Sequence, residues 1–386
     1  MSYPLVCLGD VADFINGVAF KPEDWGTEGK PIIRIQNLND PLKEYNYTER
    51  EVKDTNIARK GDLLVSWSAS LGVYEWNGQD ACINQHIFKV VPNNEKIDKT
   101  YLKRALELSI VEMESQVHGA TMKHITRGKF LANQIPLPPL AEQRRIASIL
   151  DQADELRQKR QQAIEKLDQL LQATFIDMFG DPVSNPKGWD LVRVGEVVDE
   201  FIGGKNIECP DESDSDYKIL KVSAVTSKVY KPNESKFAPN TFEPNPLAIV
   251  EKGDLLFSRA NTTELVAATA YVWETPENIV LPDKLWKFSI SDESKVNKLY
   301  LWDLFKNIEF RNELSKLSSG TSGSMKNISK GKLNELKMPL PPKELQDKFA
   351  EFSTKLWGQI KTFQQSSDSL DSLFNSLQNQ AFNGTL

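Results

Sequence analysis

Leu137-Pro138-Pro139-Leu140-Ala141-Glu142-Gln143 opens a run of about 40 residues without an internal Gly or Pro, and a matching opening occurs a second time. In the first run Ile146, Leu150, Ala153, Leu156, Ile164, Leu167, Leu171 and Met178 recur at spacings that are mostly three, four or their sum. That spacing predicts one long helix with a single apolar stripe. Leu340-Pro341-Pro342-Lys343-Glu344-Leu345-Gln346 opens the second run, with Leu345, Phe349, Phe352, Leu356, Ile360, Phe363, Leu370, Leu373 and Leu377 on its stripe. The two openings lie 203 positions apart, from 137 to 340.

At about 1.5 Å per residue, a helix of this length measures roughly 60 Å, more than the width of a small domain. A helix apolar on one side over such a length needs a partner of similar length, and the other copy supplies it. The expected assembly is therefore two globular domains held apart by an antiparallel helix pair. The alternative, each helix lying on its own domain, conflicts with the usual length of globular helices. Pro138 and Pro139 suit a first helical turn, and Glu142 complements the positive end of the helix dipole. Phe179-Gly180-Asp181-Pro182 gives a Gly cap followed by a proline breaker.

The blocks between the helices repeat as well. Val194-Gly195-Glu196-Val197 answers Leu8-Gly9-Asp10-Val11, and Leu220-Lys221-Val222-Ser223 answers Ile33-Arg34-Ile35-Gln36. Lys252 through Ser258 answers Lys60-Gly61-Asp62-Leu63-Leu64-Val65-Ser66, Leu285-Trp286-Lys287 answers Ile87-Phe88-Lys89, and Met325 through Lys332 answers Met122 through Lys129. The offset grows from 186 to 203 in one direction only, as a duplicated unit does when its loops gain insertions. Ala381-Phe382-Asn383-Gly384 mirrors the exit at Phe179-Gly180, after which a block such as the one starting at Tyr3-Pro4-Leu5 would follow. Antiparallel pairing of the helices would then give pseudo-twofold symmetry within one chain.

Composition narrows the function. A hydrophobic content of 40% over 386 residues allows a substantial core in each half. No basic-then-apolar leader and no stretch of 18 apolar residues is present, which predicts a soluble cytoplasmic protein with no membrane partner. Cys7, Cys82 and Cys209 are odd in number and form no CxxC pair; His118 and His124 lie six apart, and neither set suggests a metal site. Gly128-Lys129-Phe130 and Gly331-Lys332-Leu333 lack the Ser or Thr of a phosphate-binding loop. Neither GxGxxG, GxSxG nor an Asn-Pro-Pro-aromatic motif occurs, so no catalytic reading has support. Asp62 and Asp254 recur, but in Lys-Gly-Asp turns, where Asp is commonly structural.

A net charge of −7 and a pI near 5.3 argue against nucleic acid, yet local clusters rather than totals set the field at a groove. Such clusters exist. The segments holding Thr121, Lys123, Arg127 and Lys129, and Thr321, Ser322, Lys326, Lys330 and Lys332, combine Gly-rich backbone, hydroxyls and repeated basic residues; each is either a DNA-contacting loop or a plain hinge into the helix. Pro31 through Leu38 alternates like a half-buried strand, which would display Arg34, Gln36 and Asn37, with Lys221 and Ser223 as counterparts; these are candidate base readers or a solvated strand face. Ser66, Trp67 and Ser68 face Ser258, Arg259, Asn261, Thr262 and Thr263 in the same comparison, hydrogen-bonding residues at the end of a shared strand that differ between the copies beyond the common serine. They fit two different base-reading surfaces, or drift in loops. Asn84-Gln85-His86 is either a contact or a turn. Arg144, Arg145, Arg157, Lys159 and Arg160 on the helices are either solvated or a seat for partner subunits.

Taken together, Leu137 through Ala147, the Lys-Gly-Asp-Leu-Leu turns at Lys60 and Lys252, and the basic loops ending in Lys129 and Lys332 resemble the DNA-specificity subunit of type I restriction-modification systems. The resemblance covers the whole chain, with Lys343 and Asp347 departing from the usual residues of the second opening. It implies an α+β protein with target-recognition domains at 1–136 and 181–339 and long spacer helices at 137–180 and 340–386. It also implies a subunit without chemistry of its own, binding an asymmetric bipartite duplex target, one half-site per domain. Two methyltransferase subunits would dock on it and methylate adenine with S-adenosylmethionine, and restriction subunits using ATP and Mg2+ would join for cleavage. No cofactor is expected in this subunit. A coiled-coil scaffold with two protein- or glycan-binding domains is the alternative class.

Overall fold

A computed structural model describes residues 3–116, 126–210, 214–320 and 325–386. The chain divides into two compact units, residues 1–161 with 365–386, and residues 162–364. Each long run is one helix: Leu140–Phe179, of 40 residues, and Lys343–Asn383, of 41. Both end at a glycine in the left-handed region, Gly180 at φ +79° and Gly384 at φ +73°.

Each unit contains half of each long helix, and inside each unit the halves run antiparallel. In the first, Arg157 Nε donates to Asp371 (2.5 Å) while Arg145 Nη2 reaches the carbonyl of Leu386 (2.8 Å), so one segment ascends as the other descends. In the second, Leu171, Phe175 and Phe179 share a core with Phe349 and Leu356, and the Phe179 and Phe349 rings meet at 5.4 Å. The buried stripe differs from the expected one at two places. Leu156 is 54% exposed and Leu373 49% exposed. The three-four rhythm of Ile146, Leu150 and Ala153 continues to Arg157, whose guanidinium lies 4.5 Å from the Phe374 ring centroid; Leu156 is a third of a turn away and faces water. Phe374 and Ala381, with Ser367, mark the true seam of the second helix in that unit.

The blocks share one plan. In the first unit a four-stranded antiparallel sheet orders Ala12–Asn16, Ile87–Pro92, Leu63–Ser66 and Gly72–Glu75; in the second the order is Glu200–Gly203, Leu285–Ser289, Leu255–Ser258 and Thr269–Tyr271. The registers coincide: Leu64 faces Lys89 as Leu256 faces Lys287, and Ser66 faces Ile87 as Ser258 faces Leu285. A further sheet in each unit has a parallel pair at its heart, Lys30–Ile33 with Ala81–Ile83, and Lys218–Leu220 with Ile279–Val280. Duplication is thus visible residue by residue in the ladders.

Two local expectations fail. Pro31 through Leu38 is not one strand: the strand Lys30–Ile33 ends, and a helix Ile35–Asn39 begins after Arg34, whose N–H donates to Asn37 Oδ1 (3.1 Å). Lys221 and Ser223 likewise follow the strand Lys218–Leu220, with Ser223 opening a helix, Ser223–Thr226. In both cases apolar residues continue through the first helical turn and mask the change; in the first copy the Arg34–Asn37 bond, a local side-chain contact, marks the end of the strand.

A helix spans Lys99–Gln116, and its counterpart is Lys298–Lys306. Gln143 and Gln346, the last residues of the two opening motifs, fasten these helices to the long ones. Each is fully buried. Gln143 Nε2 donates to the carbonyls of Pro138 (2.8 Å) and Lys96 (3.0 Å), and its Oε1 accepts the Asp98 N–H (2.8 Å). Gln346 repeats this with Pro341 (2.7 Å), Lys295 (3.3 Å) and Asn297 N–H (2.9 Å). Tyr101 and Tyr300 add hydroxyl bonds to the carbonyls of Pro136 and Pro339, both 2.7 Å.

Candidate nucleic-acid interface

The Lys-Gly-Asp turns sit beneath the central strands and are structural, as expected. Gly61 and Gly253 take φ of +91° and +92°, a conformation open to glycine. Asp62 Oδ2 accepts the Arg59 N–H (2.7 Å) and faces Lys89 Nζ (2.6 Å), which also donates to the Ile57 carbonyl (2.8 Å). In the second copy Asp254, Glu251, Lys287 and Ile249 make the same set. Burial pushes the Asp254 carboxyl above its ordinary range, against the pull of Glu251 N–H and Lys287. These pairs hold the strands from which the candidate readers project.

In the second unit several candidates converge. Ser258 ends its strand fully buried, and Arg259 follows it. The short pairing of Ala260–Asn261 with Lys326–Asn327 joins the segment after that strand to the basic segment, Asn261 opposite Lys326. Arg259, Lys330 and Trp286 cluster, with Arg259 Cζ 5.7 Å and Lys330 Nζ 5.9 Å from the indole centroid. Lys326 Nζ donates to the Gly320 carbonyl (2.8 Å) and Lys332 Nζ to the Leu317 carbonyl (3.0 Å). Lys330 and Lys332 are exposed on the helix Lys330–Glu335, which buried Leu333 anchors and Ser329 caps. Lys221 and Ser223 are engaged elsewhere, both with Glu234 (3.9 and 2.7 Å).

The first unit matches in part. Arg127 and Lys129 are exposed on the helix Arg127–Leu131, which Phe130 pins against Phe14 (5.3 Å) and Phe88 (5.8 Å). Arg127 Nη2 donates to the Phe14 carbonyl (3.2 Å). Trp67 stacks on Phe88 (5.6 Å, 23°), and Ser66 is buried with its hydroxyl on the Ser70 carbonyl (2.6 Å). Ser68 is partly exposed. Arg34 lies over Trp25 (4.9 Å) and bonds Asn46 (3.3 Å), and Gln36 is exposed. Asn37 is only 2% exposed, with its amide on the Lys43 and Glu44 carbonyls, so it is a structural residue and not a displayed one. Asn84-Gln85-His86 is a turn between strands. Thr121, Lys123, Thr321 and Ser322 lie outside the described residues.

Two exposed basic helix starts in equivalent places, each beside a sheet edge, suit a phosphate backbone better than a small molecule. A family model, "Type I restriction modification DNA specificity domain", matches residues 3–166 and 186–371, one match for each copy. The chain belongs to this family. Among curated relatives, the type I restriction enzyme MjaVIII specificity subunit of Methanocaldococcus jannaschii is 26% identical, over 90% of this chain and 84% of its own length. The EcoKI specificity subunit of Escherichia coli is 24% identical over 97% of this chain and 87% of its own. The solved S subunit of the type I system from M. genitalium shares the fold at TM-score 0.58 and 15% identity, over 99% of this chain and 96% of that one. A chain solved in a study of type I complex assembly and conformational transition shares it at 0.52 and 18%, covering 100% and 98%. As a family member the chain is a DNA-recognition component of a restriction-modification system and not itself an enzyme. Among the described residues no helix is long and apolar enough to cross a membrane.

Proposed function

We propose that each unit reads one half of an asymmetric, two-part duplex target, with Arg127 and Lys129 in the first and Lys326, Lys330 and Lys332 in the second meeting DNA phosphates. The observation that carries this is the recurrence of an exposed basic helix start beside equivalent sheets whose central strands lead into different residues, Ser68 against Asn261. Shared basic residues supply affinity, and the differing residues supply two readings. The partners are two methyltransferase subunits, which bring S-adenosylmethionine, and restriction subunits, which bring ATP and Mg2+; the site of action is the cytoplasm.

Duplex binding by the chain in complex with its methyltransferase subunits is measured across a salt series. Lys326→Ala should lower the slope of log affinity against log salt by about 1, and weaken all sequences alike. Wild-type affinity insensitive to salt would refute DNA as the ligand. Mapping methylated adenines in host DNA with and without the chain should yield one two-part sequence that disappears with it.

A further inference from the structure

Arg259 stands where sequence alone suggests a base reader, at the position that Trp67 takes in the first copy. Its surroundings suggest otherwise. Nε donates to the Asp283 carbonyl (2.6 Å), Nη1 to Asn327 Oδ1 (3.0 Å) and Nη2 faces Asp283 Oδ2 (3.4 Å). The backbone is held as well: its N–H donates to the Lys284 carbonyl (3.1 Å) and its own carbonyl accepts the Ile328 N–H (2.9 Å). The side chain is 23% exposed and lies against Trp286. An arginine reading guanine presents two free N–H groups in a fork. Here Nε gives its only N–H and each terminal nitrogen one of its two to a protein oxygen, so the guanidinium is held in place and links two segments, the Asp283 turn and the Lys326–Asn327 strand.

We infer that Arg259 is a positioning residue: it fastens the strand bearing Lys326 to the end of the reading sheet, and does not itself contact DNA. The consequence is geometric. Lys326 and, through the shared Trp286 surface, Lys330 are offered from a fixed backbone, so less ordering is needed on binding. In the first copy the aromatic stack of Trp67 on Phe88 occupies the corresponding place, a different fastening on the same scaffold.

This inference rests on the DNA-reading function proposed above, and its test separates the two. The full chain, assembled with its methyltransferase subunits, is titrated with a duplex carrying the target mapped by adenine methylation, at several salt concentrations. Arg259→Ala is expected to weaken binding roughly tenfold at every salt concentration, with the salt slope and the ranking of single-base variants unchanged. Asn327→Ala should weaken it in the same way, and the double variant should be no weaker than Arg259→Ala alone, because the contact that Asn327→Ala removes is already lost there. Arg259→Lys, which keeps the charge and one donor nitrogen, should recover part of the loss. Asn327 is exposed, so its variant tests the contact even if Arg259→Ala fails to fold. A slope reduced by about 1 would make Arg259 a phosphate contact, and selective loss of preference at one base pair would make it a reader; either overturns the inference. So would additive losses, or an Asn327→Ala variant that binds like wild type. Wild-type binding indifferent to salt would instead remove the DNA reading itself.

Discussion

Gln143 and Gln346 show how a motif can be read correctly and for the wrong reason. The Leu-Pro-Pro openings mark the helix starts by their prolines, but the residue that ties each start to its unit is the glutamine six places after the leucine, through three backbone bonds. Replacing Gln346 with Leu leaves two carbonyls and one N–H buried without that partner, and should cost about 2–4 kcal/mol in denaturant unfolding. A loss below about 0.5 kcal/mol would show that the clamp is dispensable. The Asp254 and Lys287 pair permits a test with a sign. Lys287→Met removes the charge that offsets burial of Asp254, at a cost of about 3–5 kcal/mol near neutral pH. Because burial already raises the Asp254 value, the folded state of the variant takes up a proton more readily than the unfolded chain. The variant should therefore regain stability as pH falls through that raised value, fully so below the ordinary carboxylate range. A variant whose deficit is constant across the acid range would contradict the assignment. Neither glutamine nor lysine announces its role in the sequence, since the carbonyls they meet become neighbours only on folding.

At the scale of elements, periodicity located both long helices and their Gly caps, because a three-four rhythm held over some forty residues leaves no other reading. It assigned Leu156 and Leu373 to the seam because apolar character was counted ahead of phase. The seam instead passes through Arg157, whose aliphatic stem and guanidinium cover Phe374 while Asp371 answers the charge. Phe374→Ala should destabilise the first unit by about 3–5 kcal/mol, whereas Leu156→Ala should stay within about 0.5 kcal/mol of wild type. Equal effects of the two, measured by chemical denaturation, would mean the phase is wrong. The strand predicted across Pro31 to Leu38 failed for the converse reason: apolar residues on both sides of Arg34 mask the switch from strand to helix. The signal was present in Asn37, three residues on, whose side chain caps Arg34 and whose burial withdraws it from any interface.

For the molecule as a whole, acidity masks the proposed interface. A charge of −7 coexists with two short repeated segments rich in basic residues, and these became legible through repetition rather than through composition. What could not be read was which candidates share a surface, since Arg259 and Asn327 are 68 residues apart and Lys221 lies with Glu234 instead.

Exchange of one recognition block tests the division of labour between the units. The strands Asp190–Arg193 and Lys337–Leu340 pair antiparallel, Asp190 opposite Leu340 and Arg193 opposite Lys337, so the two ends of the second block lie side by side. The first block closes in the same manner, with Leu5 opposite Pro136. A segment whose ends meet in one ladder can be replaced with little demand on its surroundings. Gln143, Gln346 and both long helices are retained when residues 190–340 are replaced by the corresponding segment of another family member, whose backbone at the places of Lys295 and Asn297 meets Gln346 anew. Mapped adenine methylation should then change in one half of the target and keep the other half unaltered. Change in both halves, or in neither, from a soluble and assembled chimera would contradict one reading unit per half-site.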